Sequence, residues 1–198
     1  MSTSFPFGAR IEALADDEEQ LPPLMEWQPP FCGDIDMRID RRGEWWHEGR
    51  HVSHPRVMRQ LSRLLRRESD GDYYLLTPVE KWRIRVEDHP LLIVDARREV
   101  NEHGVPVWWL TTGTGDRLAL GATHRLERDE KERPPTVAVR FGLHARLGNS
   151  VFMTLIEQGE IRLIEDRHEL GLESDGVWQP LGYPPPDMID APPRSTSA

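Results

Sequence analysis

The sequence predicts an α+β fold made of two small, similar α/β subdomains, each a mostly antiparallel sheet packed on one helix. Three observations lead to this prediction. Short alternating segments are typical of strands, two apolar stripes are typical of short helices, and an early hairpin resembles a late one in spacing. The early hairpin, within residues 29–48, carries the strongest signal.

The early hairpin begins after a Pro-Pro pair. Ile35, Met37 and Ile39 alternate with charged residues, which is the pattern of a half-buried strand. Residues 41–44 have the composition of a turn, and residues 45–48, which start with two tryptophans, are predicted to return as the second strand.

Two helices are expected. Ser53 is predicted to cap the first, with Pro55 in its first turn, and the helix is expected to end near Glu68. Its apolar stripe consists of Val57, Met58, Leu61, Leu64 and Leu65. The second helix is expected within residues 143–158, with Gly159 as its C-cap.

Further strands are predicted where apolar residues alternate or cluster between turn residues. They are expected at residues 73–77, 81–87, 91–100, 105–112, 118–126, 136–141, 161–164, 168–172 and 177–181.

A weak internal repeat favours two related halves. Residues 39–49 and 172–182 both have an aliphatic residue, then Gly, Trp and Gly at the same spacing, and chance similarity and a duplicated scaffold both explain it. We divide the chain into a disordered tail at 1–25, a first subdomain at 26–88, a second at 89–182 and a disordered Pro-rich tail at 183–198. The N-terminal tail is alternatively a helix that docks a partner.

Composition excludes several classes of protein. The net charge of −9 argues against a protein coated for nucleic acid or anionic lipid, and a single cysteine, Cys32, excludes an intrachain disulfide. No segment reaches the roughly 20 apolar residues that cross a bilayer, and no secretory signal is recognised, so we expect a cytoplasmic protein. No P-loop, dinucleotide fingerprint or nucleophile elbow is present, so we predict no cofactor and name no catalytic residue.

The motifs together resemble the bacterial domain-of-unknown-function family 1285. The resemblance rests on residues 29–39, Gly-Glu-Trp at 43–45, Thr-Pro-Val-Glu-Lys at 77–81, residues 84–88 and the segment 149–152, and it covers roughly 26–182. It implies two small α/β domains that share one scaffold and a link to signalling or sensing. It implies no catalytic residues.

Candidate ligand-binding residues lie in the first subdomain. Glu80 and Lys81 follow a proline in a corner between strands, and loops held by rigid elements often carry function. Arg85 on the next strand, with Asp36 and Arg38 on the first, completes the set. Cross-strand ion pairs on a solvated face are the alternative for the strand residues.

The first helix supplies a second candidate surface. Arg56, Arg59, Arg63 and Arg67 are expected to cover it, where arginines bind phosphate or carboxylate groups of an anionic partner. A solvated face paired with acids elsewhere is the alternative. The Gly113-Thr114-Gly115 loop is a weaker phosphate candidate.

We therefore expect a non-catalytic module that binds a small anionic ligand or a protein partner, with an unknown oligomeric state. The alternative is a small hydrolase or metal-dependent enzyme that uses Asp34, Asp36 and Glu80. No metal site is predicted, because the metal-ligand side chains His47, His51, His54 and Cys32 fall on elements that are not expected to converge.

Overall fold

A computed structural model describes residues 21–128 and 134–185. The described residues form mostly β-sheet with two helices, an α+β fold. Residues 21–128 and 134–185 contain two six-stranded sheets, A and B, and a three-stranded sheet C.

Sheet A places its first and last strands side by side at its centre. Its strands are β1 (Phe31–Ile39), β2 (Trp45–His47), β3 (Arg50–His51), β4 (Leu65–Arg67), β5 (Tyr73–Leu76) and β6 (Lys81–Val86). Their order is β3-β2-β1-β6-β5-β4. The β1–β6 pair is parallel and the other four neighbouring pairs are antiparallel. The alternation read from the sequence buries Met37 and Ile39, and Gly33 takes a φ of 118° at a register shift in β1.

Sheet B repeats this strand order. Its strands are β7 (Leu91–Val100), β8 (Pro106–Thr112), β9 (Arg117–Ala119), β10 (Leu126–Glu127), β11 (Thr136–Arg140) and β12 (Leu143–Leu147). Read from β9, the order is β9-β8-β7-β12-β11-β10, so again the first strand lies beside the last. The predicted hairpin of β7 and β8 is confirmed.

Sheet C is an antiparallel meander that follows the second helix. Its strands are β13 (Glu160–Ile164), β14 (Arg167–Ser174) and β15 (Val177–Gly182). The preceding helix, α2 (Asn149–Gln158), packs on β14 and β15 through Val151 and Leu155. The three predicted strands are confirmed, but residues 143–147 form a strand ahead of the helix.

The first helix, α1 (Pro55–Arg63), is shorter than predicted. His54 rather than Ser53 occupies the N-cap position, and no side chain caps the helix. Leu64 closes it with its backbone N–H directed at the carbonyls of Gln60 and Leu61, and the chain then enters β4. Because Leu64 and Leu65 are apolar, they fit a helix stripe and a strand equally well.

The structure contains a repeat, but it relates different segments from those that the sequence spacing indicated. The hairpin at 39–49 belongs to sheet A, whereas the hairpin at 172–182 belongs to sheet C. Their turns also differ. Ile39 pairs with Trp45 across a five-residue connection, whereas Ser174 pairs with Val177 across Asp175 and Gly176 alone. The predicted correspondence is therefore wrong, although a repeat of sheet topology is present.

The described chain extends beyond both predicted tail boundaries. Leu24 is fully buried, and Pro184 is buried after the last strand. Residues 1–20 and 186–198 of the predicted tails lie outside the described residues. No described helix is long and apolar enough to cross a membrane.

The structure divides into two compact units that do not follow the sheets strictly. The first contains the described residues up to Leu92 together with Gly113–Asp116 and Val139–Ala145, and the second contains the remainder. The predicted packing of one helix on the sheet of each subdomain stays a prediction.

Candidate functional site

The central strands of sheet A carry most of the predicted ligand-binding residues. Along β6, Ile84 points to the core, while Arg83 and Arg85 are exposed on the opposite face. Along β1, Met37 and Ile39 are buried, and alternation places Asp36 and Arg38 on the outward face. We call this outward surface of β1 and β6 the arginine face.

The parallel pairing brings two predicted site residues directly together. Arg38 on β1 is the register partner of Arg85 on β6. Like charges in directly opposite positions of a sheet repel each other. The register therefore places two positively charged residues in opposite positions on the arginine face.

Arg38 is oriented by its neighbours. Its Nη1 donates to Glu87 Oε1 at 3.2 Å, and its guanidinium lies 4.7 Å from the centre of the Trp46 ring. Trp46 is fixed in turn, because its Nε1 donates to Asp40 Oδ2 at 3.0 Å. Burial disfavours the charged Asp40 carboxylate, but hydrogen bonds from the Glu44 N–H, the Trp46 indole and the Arg42 N–H outweigh it and lower the Asp40 pKa.

Arg85 differs from Arg38 in having no ion-pair partner in the part of the chain that the structure describes. Its side chain is exposed, and among residues 21–128 and 134–185 no carboxylate forms an ion pair with it. Asp36 is also exposed. Within the described residues, Arg85 is thus an exposed arginine of the arginine face for which no ion pair is found.

The remaining arginine of β6 is already used within the chain. Arg83 Nε and Nη2 hold the two carboxylate oxygens of Asp34 at 2.6 and 3.1 Å, and its Nη1 donates to Asp72 at 3.0 Å. These hydrogen bonds from Arg83 lower the pKa of Asp34. Asp34, one of the carboxylates of the alternative enzyme hypothesis, is therefore engaged in an ion pair with Arg83.

The predicted corner at Glu80 and Lys81 is a stabilised turn. Thr77 Oγ1 accepts the backbone N–H of Glu80 at 3.1 Å, and the Thr77 N–H donates to the Glu80 carbonyl at 2.9 Å. Lys81 Nζ donates to Glu68 Oε2 at 2.9 Å and lies 4.8 Å from the centre of the Tyr74 ring. Lys81 and Arg85 are four positions apart along β6, about 13 Å, so one small anion does not contact both.

Sequence reasoning missed a buried charged cluster beside this corner. Arg66, which lies within the stretch predicted as the first helix, is 6% exposed and donates to the carbonyls of Leu24 and Trp27. It also pairs with Glu68. Burial opposes ionisation of Glu68, but hydrogen bonds from Arg66 and Lys81 prevail and lower its pKa. Arg66 was missed because the helix was predicted to continue to Glu68. It ends at Arg63 instead, and Arg66 lies on β4.

The predicted basic surface is divided between two elements. Arg56, Arg59 and Arg63 lie on α1 at spacings that share one side of the helix. Arg67 lies on β4, where its Nε donates to the Gly71 carbonyl at 3.3 Å. Arg56 and Arg63 already interact within the chain.

The Gly-Thr-Gly loop holds a carboxylate. Asp116, at the end of this loop, accepts two hydrogen bonds from Arg140, from Nε at 2.5 Å and from Nη2 at 3.3 Å. Arg140 also donates to the carbonyl and hydroxyl of Ser62, both at 3.0 Å. The arginine and the aspartate are 9% and 14% exposed. This cluster ties the loop to the end of α1.

The four candidate metal ligands, all within the described residues, are not placed to hold a metal ion together. Within residues 21–128 and 134–185, no group of three or more His, Cys, Asp or Glu side chains is placed to hold a metal ion. His47 is buried on β2, and Cys32 is exposed with its thiol directed at the Pro30 carbonyl at 3.4 Å.

Two family models match the chain without a gap between them. Residues 22–89 match the N-terminal domain of the domain of unknown function DUF1285, and residues 90–181 match the C-terminal domain of the protein of unknown function DUF1285. The chain belongs to the DUF1285 family. The family resemblance seen in the sequence is confirmed.

Two solved DUF1285 structures are similar to this chain. A family protein from Silicibacter pomeroyi DSS-3 is 36% identical with a TM-score of 0.75, and the match covers 91% of this chain and 98% of that one. A family protein from Shewanella baltica OS155 is 24% identical with a TM-score of 0.51, covering 63% and 92%, and supports the fold alone. A search of curated proteins found no match.

Proposed function

We propose that this DUF1285 protein is a non-catalytic binding module that holds an anionic group of a small ligand or a protein partner on the arginine face. One observation carries the proposal. Arg38 and Arg85 are direct register partners, and Arg85 has no carboxylate partner among the described residues. An anion placed between them relieves their repulsion and gains charge-assisted hydrogen bonds.

Guanidinium groups suit this role because their planar N–H groups bind carboxylate and phosphate oxygens in pairs. The Trp46 ring and Glu87 hold Arg38 in place, so less side-chain freedom is lost on binding. Asp36 repels a second negative charge on the same ligand. We therefore expect a preference for ligands whose charge is concentrated at one end.

We include a regulatory role in the proposal. This role is supported by the binding groups that the arginine face carries on the central strands of sheet A. Signalling or sensing would use occupancy of the arginine face to change association with a partner. We propose that the protein acts in the cytoplasm, as expected from the sequence.

The test is a calorimetric and thermal-shift titration with inorganic phosphate and with mono- and dicarboxylates at low ionic strength. We expect binding to the unmodified chain, loss of binding in Arg85→Gln, and tighter binding in Asp36→Asn. Arg98→Gln is the matched control, because Arg98 is an exposed strand arginine whose register partner is Trp108. Equal binding by Arg85→Gln and the unmodified chain contradicts the proposal.

A further inference from the structure

Among the outer strands of the three described sheets, β13 is the longest that contains no proline. It ends sheet C, and no described strand pairs with its outer side. The outer strands of sheets A and B are only two or three residues long. The opposite edge of sheet C, β15, contains Pro180, and its Gln179 is buried against the Leu126 N–H. Long unprotected edges invite pairing with another strand.

The two faces of β13 have different chemistry. Glu160 and Arg162 share one face, where they form an ion pair, and Arg162 also donates to Glu173 at 3.0 Å and lies 4.4 Å from the centre of the Trp178 ring. Ile161 and Leu163 share the other face, and Leu163 is 65% exposed. A charged face and an apolar face therefore both reach the free edge.

We propose that β13 is the surface through which two copies of this chain associate, by antiparallel pairing about a two-fold axis at Ile161. In that register Glu160 of each copy lies opposite Arg162 of the other, which forms two intermolecular ion pairs. Ile161 meets the same residue of the second copy on the apolar face. Directly opposite charges and apolar pairs both stabilise antiparallel strands.

Neighbouring registers are less favourable. A two-fold axis at Arg162 places that arginine opposite itself, and an axis at Leu163 places Glu160 opposite Asp166 of the second copy. Only the Ile161 axis satisfies both charged residues, and it covers Leu163 at the same time with Gly159 of the second copy. The sequence Glu160-Ile161-Arg162 is thus complementary to itself when read in the opposite direction.

The resulting assembly is a continuous six-stranded sheet formed by sheet C of both copies. Five residues of strand bury little surface, so the dimer is expected to be weak and to depend on protein concentration. This proposal is independent of the arginine face. It concerns the oligomeric state that the sequence left open.

Charge reversal tests the register. Sedimentation velocity over a range of concentrations is expected to show a dimer for the unmodified chain and monomers for Glu160→Arg and for Arg162→Glu separately. An equimolar mixture of the two variants is expected to regain a dimer, because each position then faces the opposite charge in the other copy. Glu99→Arg, an exposed reversal beside Arg117, is the control and is expected to leave the dimer intact.

A cross-link covers the case in which Arg162→Glu unfolds. In a Cys32→Ser background, oxidised Ile161→Cys is expected to form a disulfide-linked dimer, because opposite Cα atoms in antiparallel strands lie about 4.5–5.5 Å apart, within disulfide range. Leu163→Cys, two residues away, is expected to cross-link much less. Any one of four results overturns the proposal. These are a monomer at every concentration, dimers that survive both reversals, a mixture that stays monomeric, and equal cross-linking at both positions.

Discussion

Sheets A and B share a strand order but complete it differently at one connection. Between β3 and β4, sheet A inserts α1, whose Leu61 is fully buried. Between β9 and β10, sheet B has a loop whose backbone groups bond to side chains of sheet C. Ser174 Oγ donates to the Leu120 carbonyl at 2.8 Å, and Gln179 donates to the Gly121 carbonyl at 3.3 Å.

This difference shows how one topology tolerates two solutions to the same physical requirement. A buried connection must satisfy its backbone N–H and C=O groups. A helix does so internally, whereas a loop needs partners from outside. Sheet C supplies those partners, so we expect sheet B to depend on sheet C while sheet A depends on the apolar side of α1.

Truncating the Leu61 side chain on α1 is expected to have the largest effect on the free energy of unfolding. Leu61→Ala removes a fully buried leucine and is expected to lower the free energy of unfolding by about 2–5 kcal/mol through lost burial and a cavity. Denaturant unfolding measures it. Met153→Ala, at a 53% exposed position on α2, is the control, and equal losses in the two variants contradict the role of α1.

Disturbing sheet C is expected to come next. A Cβ on Gly171 would lie 2.5 Å from a Trp178 ring carbon and 2.6 Å from the Gln179 carbonyl oxygen. Gly171→Ala is therefore expected to cost about 1–3 kcal/mol by overpacking. Gly182→Ala meets no described atom within 4 Å and is the matched control. Hydrogen exchange should show the loop before β10 opening in the first variant alone.

A pair of glutamine substitutions sharpens the comparison. Gln179→Leu leaves the Leu126 N–H and the Gly121 carbonyl without their partner and is expected to cost about 1–3 kcal/mol. Gln60→Leu on α1 is expected to be neutral or stabilising, because the buried Gln60 Nε2 has no hydrogen-bond partner among the described residues. Thermal unfolding of both variants measures the difference, and a stabilised Gln179→Leu sinks the explanation.

The smallest expected effect lies in sheet A and depends on pH. The Tyr74 hydroxyl donates to Asp70 at 2.7 Å, and this bond together with burial raises the pKa of Tyr74 to about 12. The neutral form is favoured in the folded chain, so the contribution is complete below pH ~10, the ordinary value for tyrosine. It is lost as the pH rises through about 12.

Tyr74→Phe is therefore expected to cost about 1 kcal/mol at neutral pH and to remove this loss at high pH. Ultraviolet titration of tyrosinate measures the ionisation directly. A titration curve unchanged by the substitution contradicts the assignment.

Local pattern was sufficient for much of the fold. The alternation of Ile35, Met37 and Ile39 located β1, and similar patterns located the β7–β8 hairpin and sheet C. The sequence pattern did not predict the strand at 143–147. Leu143, Ala145 and Leu147 are buried on this strand, which leads into α2. The pattern failed again in the hairpin comparison, because residue spacing does not determine turn length.

The candidate site was predicted only as separate residues. Arg38 and Arg85 were both selected from the sequence, but their opposite positions depend on a parallel pairing between the first and last strands of sheet A. Short-range patterns contain no information on that pairing. For the same reason the partners of Lys81 and Arg140 became visible only in the folded chain.

The central position of β1 and β6 has a consequence for synthesis on the ribosome. Each six-stranded sheet joins its earliest strand to its latest, so its middle cannot close until the whole segment has emerged. Contacts between distant residues slow folding, and domains generally fold as units during synthesis with the N-terminal one first. Sheet A is therefore expected to close soon after Val86 leaves the exit tunnel, while sheet B waits for Leu147.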